Sequence, residues 1–76
     1  MITVRVKLIG PLMYEAGFSE KDVDLPDRAK AEDLLESLSL SKQRPKIVTR
    51  NGRAVVPQDV LEDGDRVAIS PLYSGG

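Results

Sequence analysis

The residues of this chain best suited to chemistry lie at its C-terminal end. Ser74, Gly75 and Gly76 close the sequence after Pro71, Leu72 and Tyr73. Glycine adds no side chain to a core and loses the most backbone entropy on ordering. Such a segment is expected to be mobile until a partner holds it. It presents a carboxylate on bare backbone, able to enter a slot where any Cβ would clash. Fully extended, the stretch from Pro71 to Gly76 reaches about 20 Å. That is enough to place Gly76 inside another protein's active site, so the remaining residues read as a handle for this tail.

Composition narrows the choice. With 76 residues the chain forms one small domain. Net charge is −1, which gives no general attraction to nucleic acid or an anionic membrane. The sequence has no cysteine, hence no disulfide frame and no thiolate nucleophile. It has no histidine, which removes the commonest general base and the commonest metal ligand. These absences argue against an enzyme.

The elements that must carry the tail follow in order. Ile2, Val4, Val6 and Leu8 alternate with Thr3, Arg5 and Lys7, the period of a half-buried strand. Arg5 and Lys7 break up any signal-peptide core, and no stretch is long enough to span a bilayer. A cytoplasmic location is expected. Gly10-Pro11 stops the strand, and Leu12 to Phe18 reads as a turn or short helical loop. A second strand is expected from Lys21 to Leu25, antiparallel to the first. From Lys30 to Leu38 the apolar residues Ala31, Leu34, Leu35 and Leu38 fall on one helical face. Asp27 is a candidate cap. Glu32 and Glu36 lie one turn apart, and without a third ligand or an apolar pocket they read as a solvated face.

Lys42, Arg44, Lys46, Arg50 and Arg53 form the one basic concentration. Aromatic residues for base stacking are missing there, so it reads as a solvated or partner-facing surface. Asn51-Gly52 lies between two strand-like runs, Ile47 to Arg50 and Arg53 to Val56, and predicts a two-residue hairpin turn of type I′. Glu62-Asp63-Gly64-Asp65 offers too few ligand positions for a calcium loop and reads as a turn. A last strand follows, with Val67 and Ile69 inward.

Strand, strand, helix, strand, short strand and strand, with the first and last strands central, make an α+β fold. One main helix lies across one face of a mixed sheet. This is the β-grasp, or ubiquitin-like, architecture, with residues 1–70 as the domain and 71–76 as the tail. Asn51-Gly52-Arg53, Val55-Val56, the run Leu61 to Ile69 with its Asp63-Gly64-Asp65 turn, Pro71 and terminal Gly75-Gly76 together resemble the bacterial sulfur-carrier family. That family includes the small subunit of molybdopterin synthase (MoaD) and the thiazole-synthesis carrier (ThiS). The helix, with Asp33-Leu34-Leu35, is similar too, and the likeness spans essentially the whole chain. The tail looks more like the molybdopterin branch. Leu8, Ile9, Met13 and Tyr14 depart from that branch, which often has aromatics and an Arg-Glu pair there.

The resemblance implies a protein substrate rather than a catalyst. A partner adenylating enzyme would join the Gly76 carboxylate to AMP, using ATP and magnesium that it binds itself. A sulfur donor protein would then displace AMP and leave a thiocarboxylate on Gly76. A larger synthase subunit would receive the sulfur for a pterin precursor. Gly75 and Ser74 would thread the partner's channel, and Pro71, Leu72 and Tyr73 would contact the partner. This chain would bind no cofactor or metal itself. Two alternatives share the same tail: a modifier joined through Gly76 to lysines, and a sulfur carrier for thiamine thiazole or another pathway. A plain interaction module, its Gly-Gly incidental, is a third.

Overall fold

The computed structural model describes residues 1–40 and 45–72. Lys42 and Arg44 of the basic stretch, and Tyr73, Ser74, Gly75 and Gly76 of the tail, lie outside the described residues.

The alternation at the start forms β1 (Ile2–Leu8), whose Ile2, Val4, Val6 and Leu8 are buried. Pro11 opens a single short helix, α1 (Leu12–Ala16), with Leu12 buried. Next come β2 (Glu20–Leu25), α2 (Ala31–Ser37), β3 (Lys46–Arg50), β4 (Arg53–Ala54) and β5 (Arg66–Pro71). The sheet order is β2-β1-β5-β3-β4. β5 therefore lies in the middle, parallel to β1 and antiparallel to β3. The other neighbouring pairs are antiparallel. This is the expected α+β, β-grasp arrangement.

One core supports it. Ala31, Leu34 and Leu38 from the apolar stripe of α2 join Val4, Val6, Val48, Val67 and Ile69 in one buried cluster. Leu35, on the same stripe, is half-buried against that cluster. Leu34 is fully buried, so truncating it to alanine would remove about 2–5 kcal/mol.

The start of α2 corrects one expectation. Asp27 does not cap the helix; its carboxylate pairs with the Met1 ammonium, 2.6 Å away at the surface. The N-cap is Lys30, whose side chain has no acceptor to offer. The free amides are met in other ways. Ala31 N–H donates to the Asp59 carbonyl at 2.9 Å and Glu32 N–H to the Pro57 carbonyl at 3.0 Å. The Asp33 carboxylate accepts the Lys30 N–H at 2.9 Å. The segment before the last turn thus caps the helix with its own backbone, and no Ser, Thr or Asp is needed at that position.

Asn51 and Gly52 both have positive φ, 51° and 86°, as a type I′ turn requires. The expected hairpin forms with Arg50 opposite Arg53. β4 is shorter than the run to Val56 suggested. Val56 N–H instead donates to the Asp59 carboxylate at 3.1 Å, and Pro57 has no N–H to extend a ladder. A Cβ at Gly52 would meet nothing within 4 Å, so the penalty of a side chain there comes from the backbone alone. Gly52→Val is expected to lower stability by about 2 kcal/mol, read as a fall in melting temperature.

Candidate functional site

β5 carries the chain out of the sheet toward the tail. Its Arg66 to Ile69 run parallel to Arg5 to Leu8 of β1. Its Val67 to Pro71 pair with Arg50 to Lys46 of β3. Beyond the strand, Leu72 N–H donates to the Pro45 carbonyl at 3.1 Å. Pairing therefore continues through the first two residues assigned to the tail, and the exit point is held on the β3 side. Pro71 is half-buried and Leu72 is 53% exposed. Of the predicted site residues these two are described. Tyr73, Ser74, Gly75 and Gly76 lie beyond them.

Strand alternation sorts the residues around this exit. Val67 and Ile69 point into the core, so Arg66, Ala68 and Ser70 take the opposite face. Ile47 lies opposite Ser70, and Thr49 opposite Ala68. Ile47 is 40% exposed. Ile9, just past β1, still donates to the Ile69 carbonyl at 3.0 Å and is 44% exposed. Ile9, Ile47 and Leu72 thus leave apolar surface at the end of the sheet from which the tail departs. The sequence reading had named Leu72 but missed both isoleucines. Their signal is an apolar residue out of phase with its strand: Ile47 adjoins inward Val48, and Ile9 adjoins inward Leu8.

Charged residues cluster elsewhere on that face. An open trough is lined by Arg5, Lys7, Arg66, Glu20 and Asp22 among others. Arg5 Nε donates to Glu20 at 2.8 Å and Arg5 Nη1 to Asp22 at 3.2 Å. The Glu20 bond, then the Asp22 bond, hold the Arg5 guanidinium more firmly protonated than usual. No group of three or more potential metal ligands forms among the described residues. No helix among them is long and apolar enough to cross a membrane.

At the start of β5 lies a polar cluster that sequence reasoning also missed. Asp65 is only 5% exposed. It accepts the Glu62 N–H at 2.7 Å and the Asn51 Nδ2 at 3.0 Å. Arg50 Nε lies 2.7 Å from it in a close ion pair. Burial pushes the Asp65 carboxyl upward, but the Glu62 amide, the Asn51 side chain and the Arg50 charge outweigh it. The net result is a carboxyl below its ordinary range. Arg50, read as part of a basic surface, is instead half-buried and paired with Asp65 and Glu62. The cluster fastens the hairpin to the entry of β5, and Arg5 N–H adds β1 by donating to the Asp65 carbonyl at 2.8 Å.

Comparison with known proteins agrees with this geometry. The model of the ThiS family matches residues 6–76. The chain is 39% identical over 69 residues to the molybdopterin synthase sulfur carrier subunit of Chlamydomonas reinhardtii, covering 80% of this chain and 83% of that protein. Among solved structures it resembles a Pyrococcus furiosus protein described as molybdopterin converting factor, subunit 1. That likeness has a TM-score of 0.82 at 25% identity, over 96% of this chain and all of the other. It also resembles the SAMP1 protein of Haloferax volcanii, with a TM-score of 0.78 at 27% identity, over 97% and 99% of the two chains. With a central strand leading to the tail and a family match running through Gly76, the chain belongs to the ThiS family.

Proposed function

We propose that this chain is a sulfur carrier for molybdopterin synthesis, acting through the carboxylate of Gly76. The observation that carries the reading is the likeness to a molybdopterin synthase sulfur carrier subunit, within a family match that reaches residue 76. The chemistry needs activation, because a carboxylate is a poor electrophile. A partner adenylating enzyme supplies ATP and magnesium. A Gly76 oxygen attacks the α-phosphorus, pyrophosphate leaves, and the mixed anhydride with AMP forms. A hydrosulfide-level sulfur from the donor protein then attacks the Gly76 carbonyl carbon. AMP leaves and a thiocarboxylate remains. A larger synthase subunit takes that sulfur to the pterin precursor. This chain supplies a rigid handle, the thin Ser74-Gly75-Gly76 tail and the docking surface, and the bases and nucleophiles belong to its partners.

The apolar end of the outer sheet face, Ile9, Ile47 and Leu72, is where a partner that receives the tail would bind. Buried apolar anchors dominate such interfaces. Ile47→Asp is expected to weaken the complex with the activating enzyme at least about tenfold. Its exposure means the melting temperature should move little. Titration calorimetry and thermal unfolding check the pair. A large loss of stability with unchanged affinity would remove Ile47 from the docking surface. With the cognate activating enzyme and ATP, release of pyrophosphate dependent on Gly76 tests the activation step itself.

The likeness to SAMP1, a small archaeal modifier protein, favours a second reading in which the same activated Gly76 is passed to lysine amines. Both readings share adenylation, and they part at the nucleophile that displaces AMP.

A further inference from the structure

Away from the tail, Asn51-Gly52 has reactivity of its own. The Gly52 backbone nitrogen can attack the Asn51 side-chain carbon, losing its proton as ammonia is expelled. The product is a five-membered succinimide. Water then opens either carbonyl and leaves aspartate or isoaspartate at position 51. Glycine in second place favours the attack, because no side chain shields its nitrogen. The reaction needs no catalyst, but the Asn51 amide must swing onto the following residue.

The fold opposes that swing. Asn51 Nδ2 donates to Asp65 at 3.0 Å, and Asn51 Oδ1 accepts the Arg66 N–H at 2.9 Å. Its own N–H donates to the Arg66 carbonyl at 2.8 Å. Both polar ends of the side chain are therefore tied to the entry of β5, and φ is held in the turn. We propose that Asn51 is a guarded deamidation site, reactive only when the hairpin lets go of β5. The same contacts make conversion self-locking. An aspartate at 51 has no amide hydrogen for Asp65 and sets a second carboxylate against a buried one. An isoaspartate adds a backbone carbon to a two-residue turn and spoils the pairing of Arg50 with Arg53. Each conversion thus records an opening that cannot be reversed with the original bonds.

The test follows the full-length protein at neutral pH by intact mass and by separation of isoaspartyl peptides. Folded wild type is expected to convert at least about tenfold more slowly than the same protein unfolded in urea, since several hydrogen bonds must open first. Asp65→Ala, held below its melting temperature, should convert faster than wild type. Across a urea series the wild-type rate should track the open population, which keeps the test valid if the variant folds poorly. Asn51→Asp should melt below wild type. Equal rates in the folded and unfolded protein, or a rate unmoved along the urea series, would overturn the proposal.

Discussion

Deleting Gly76 is expected to abolish sulfur transfer while leaving the melting temperature within about a degree of wild type. The reacting carboxylate then sits on Gly75, one residue short of the partner's reactive centre. A reacting group misplaced by only about 1 Å can lower a rate on the order of a hundredfold, and a missing residue displaces it by more than 3 Å. Stability should hold because the core is built from Val4, Val6, Leu34, Val67 and Ile69, and a glycine has no side chain to add to it. Gly75→Val should approach the same loss, since a branched Cβ beside the reacting carbonyl obstructs a close channel. Sulfur incorporation assayed beside thermal unfolding separates chemistry from folding. Undiminished transfer by the deleted protein would refute the carrier reading.

The second large effect concerns the fold. Asp65→Ala should lower stability by about 3 kcal/mol, because it strips the closer partner from the half-buried Arg50 and leaves the Glu62 N–H and Asn51 Nδ2 without their acceptor. For a chain of this length that is a fall of roughly 15 °C in melting temperature. The same carboxyl sets an acid limit. Its folded-state pKa lies below the ordinary value of 3.8, so the folded protein binds fewer protons there than the unfolded chain does. Its stabilisation is complete above about pH 4 and is lost as pH falls through the lowered folded value. The stability gap between wild type and Asp65→Asn should therefore stay constant near neutrality and shrink in acid. Denaturant melts across pH 2 to 7 check this, and a gap that instead widened in acid would contradict it.

Much of this architecture is legible without coordinates because the physical signals are local. The alternation from Ile2 to Leu8, the stripe of Ala31, Leu34, Leu35 and Leu38, and Asn51-Gly52 each report on their own neighbourhood, and each became the element expected. Two kinds of feature escaped. The first depends on partners distant in sequence. Asp27 looked like a cap, yet the amides of Ala31 and Glu32 are satisfied by the carbonyls of Asp59 and Pro57. No window around the helix contains those groups. The second is polar residues on the core side. Asp65 shares the phase of Val67 and Ile69, and Arg50 that of Val48. Period two carried to its end would have turned both inward and paired them. Reading Asp63-Gly64-Asp65 only as a turn, and Arg50 only as one cation among several, hid that cluster. Ile9 and Ile47 are the reverse case, apolar residues in the outward phase.

For the candidate site, the sequence supplies the identity of the tail, and the structure supplies its exit. Pro71 and Leu72 continue the pairing with β3. A tail of Tyr73 to Gly76 reaches roughly 13 Å. On the proposed reading, a partner would bring its reactive centre close to the sheet end where Ile9, Ile47 and Leu72 are exposed.

On the proposed reading, Gly76 carries sulfur. Its most direct test is intact mass spectrometry, with fragmentation of the C-terminus, on the protein isolated from its own host under conditions that preserve thioacids. A population heavier by one sulfur-for-oxygen exchange, localised to Gly76, is expected. Protein found only as the free carboxylate or as an amide on lysines of other proteins, with no thiocarboxylate under conditions that demand molybdopterin, would contradict it.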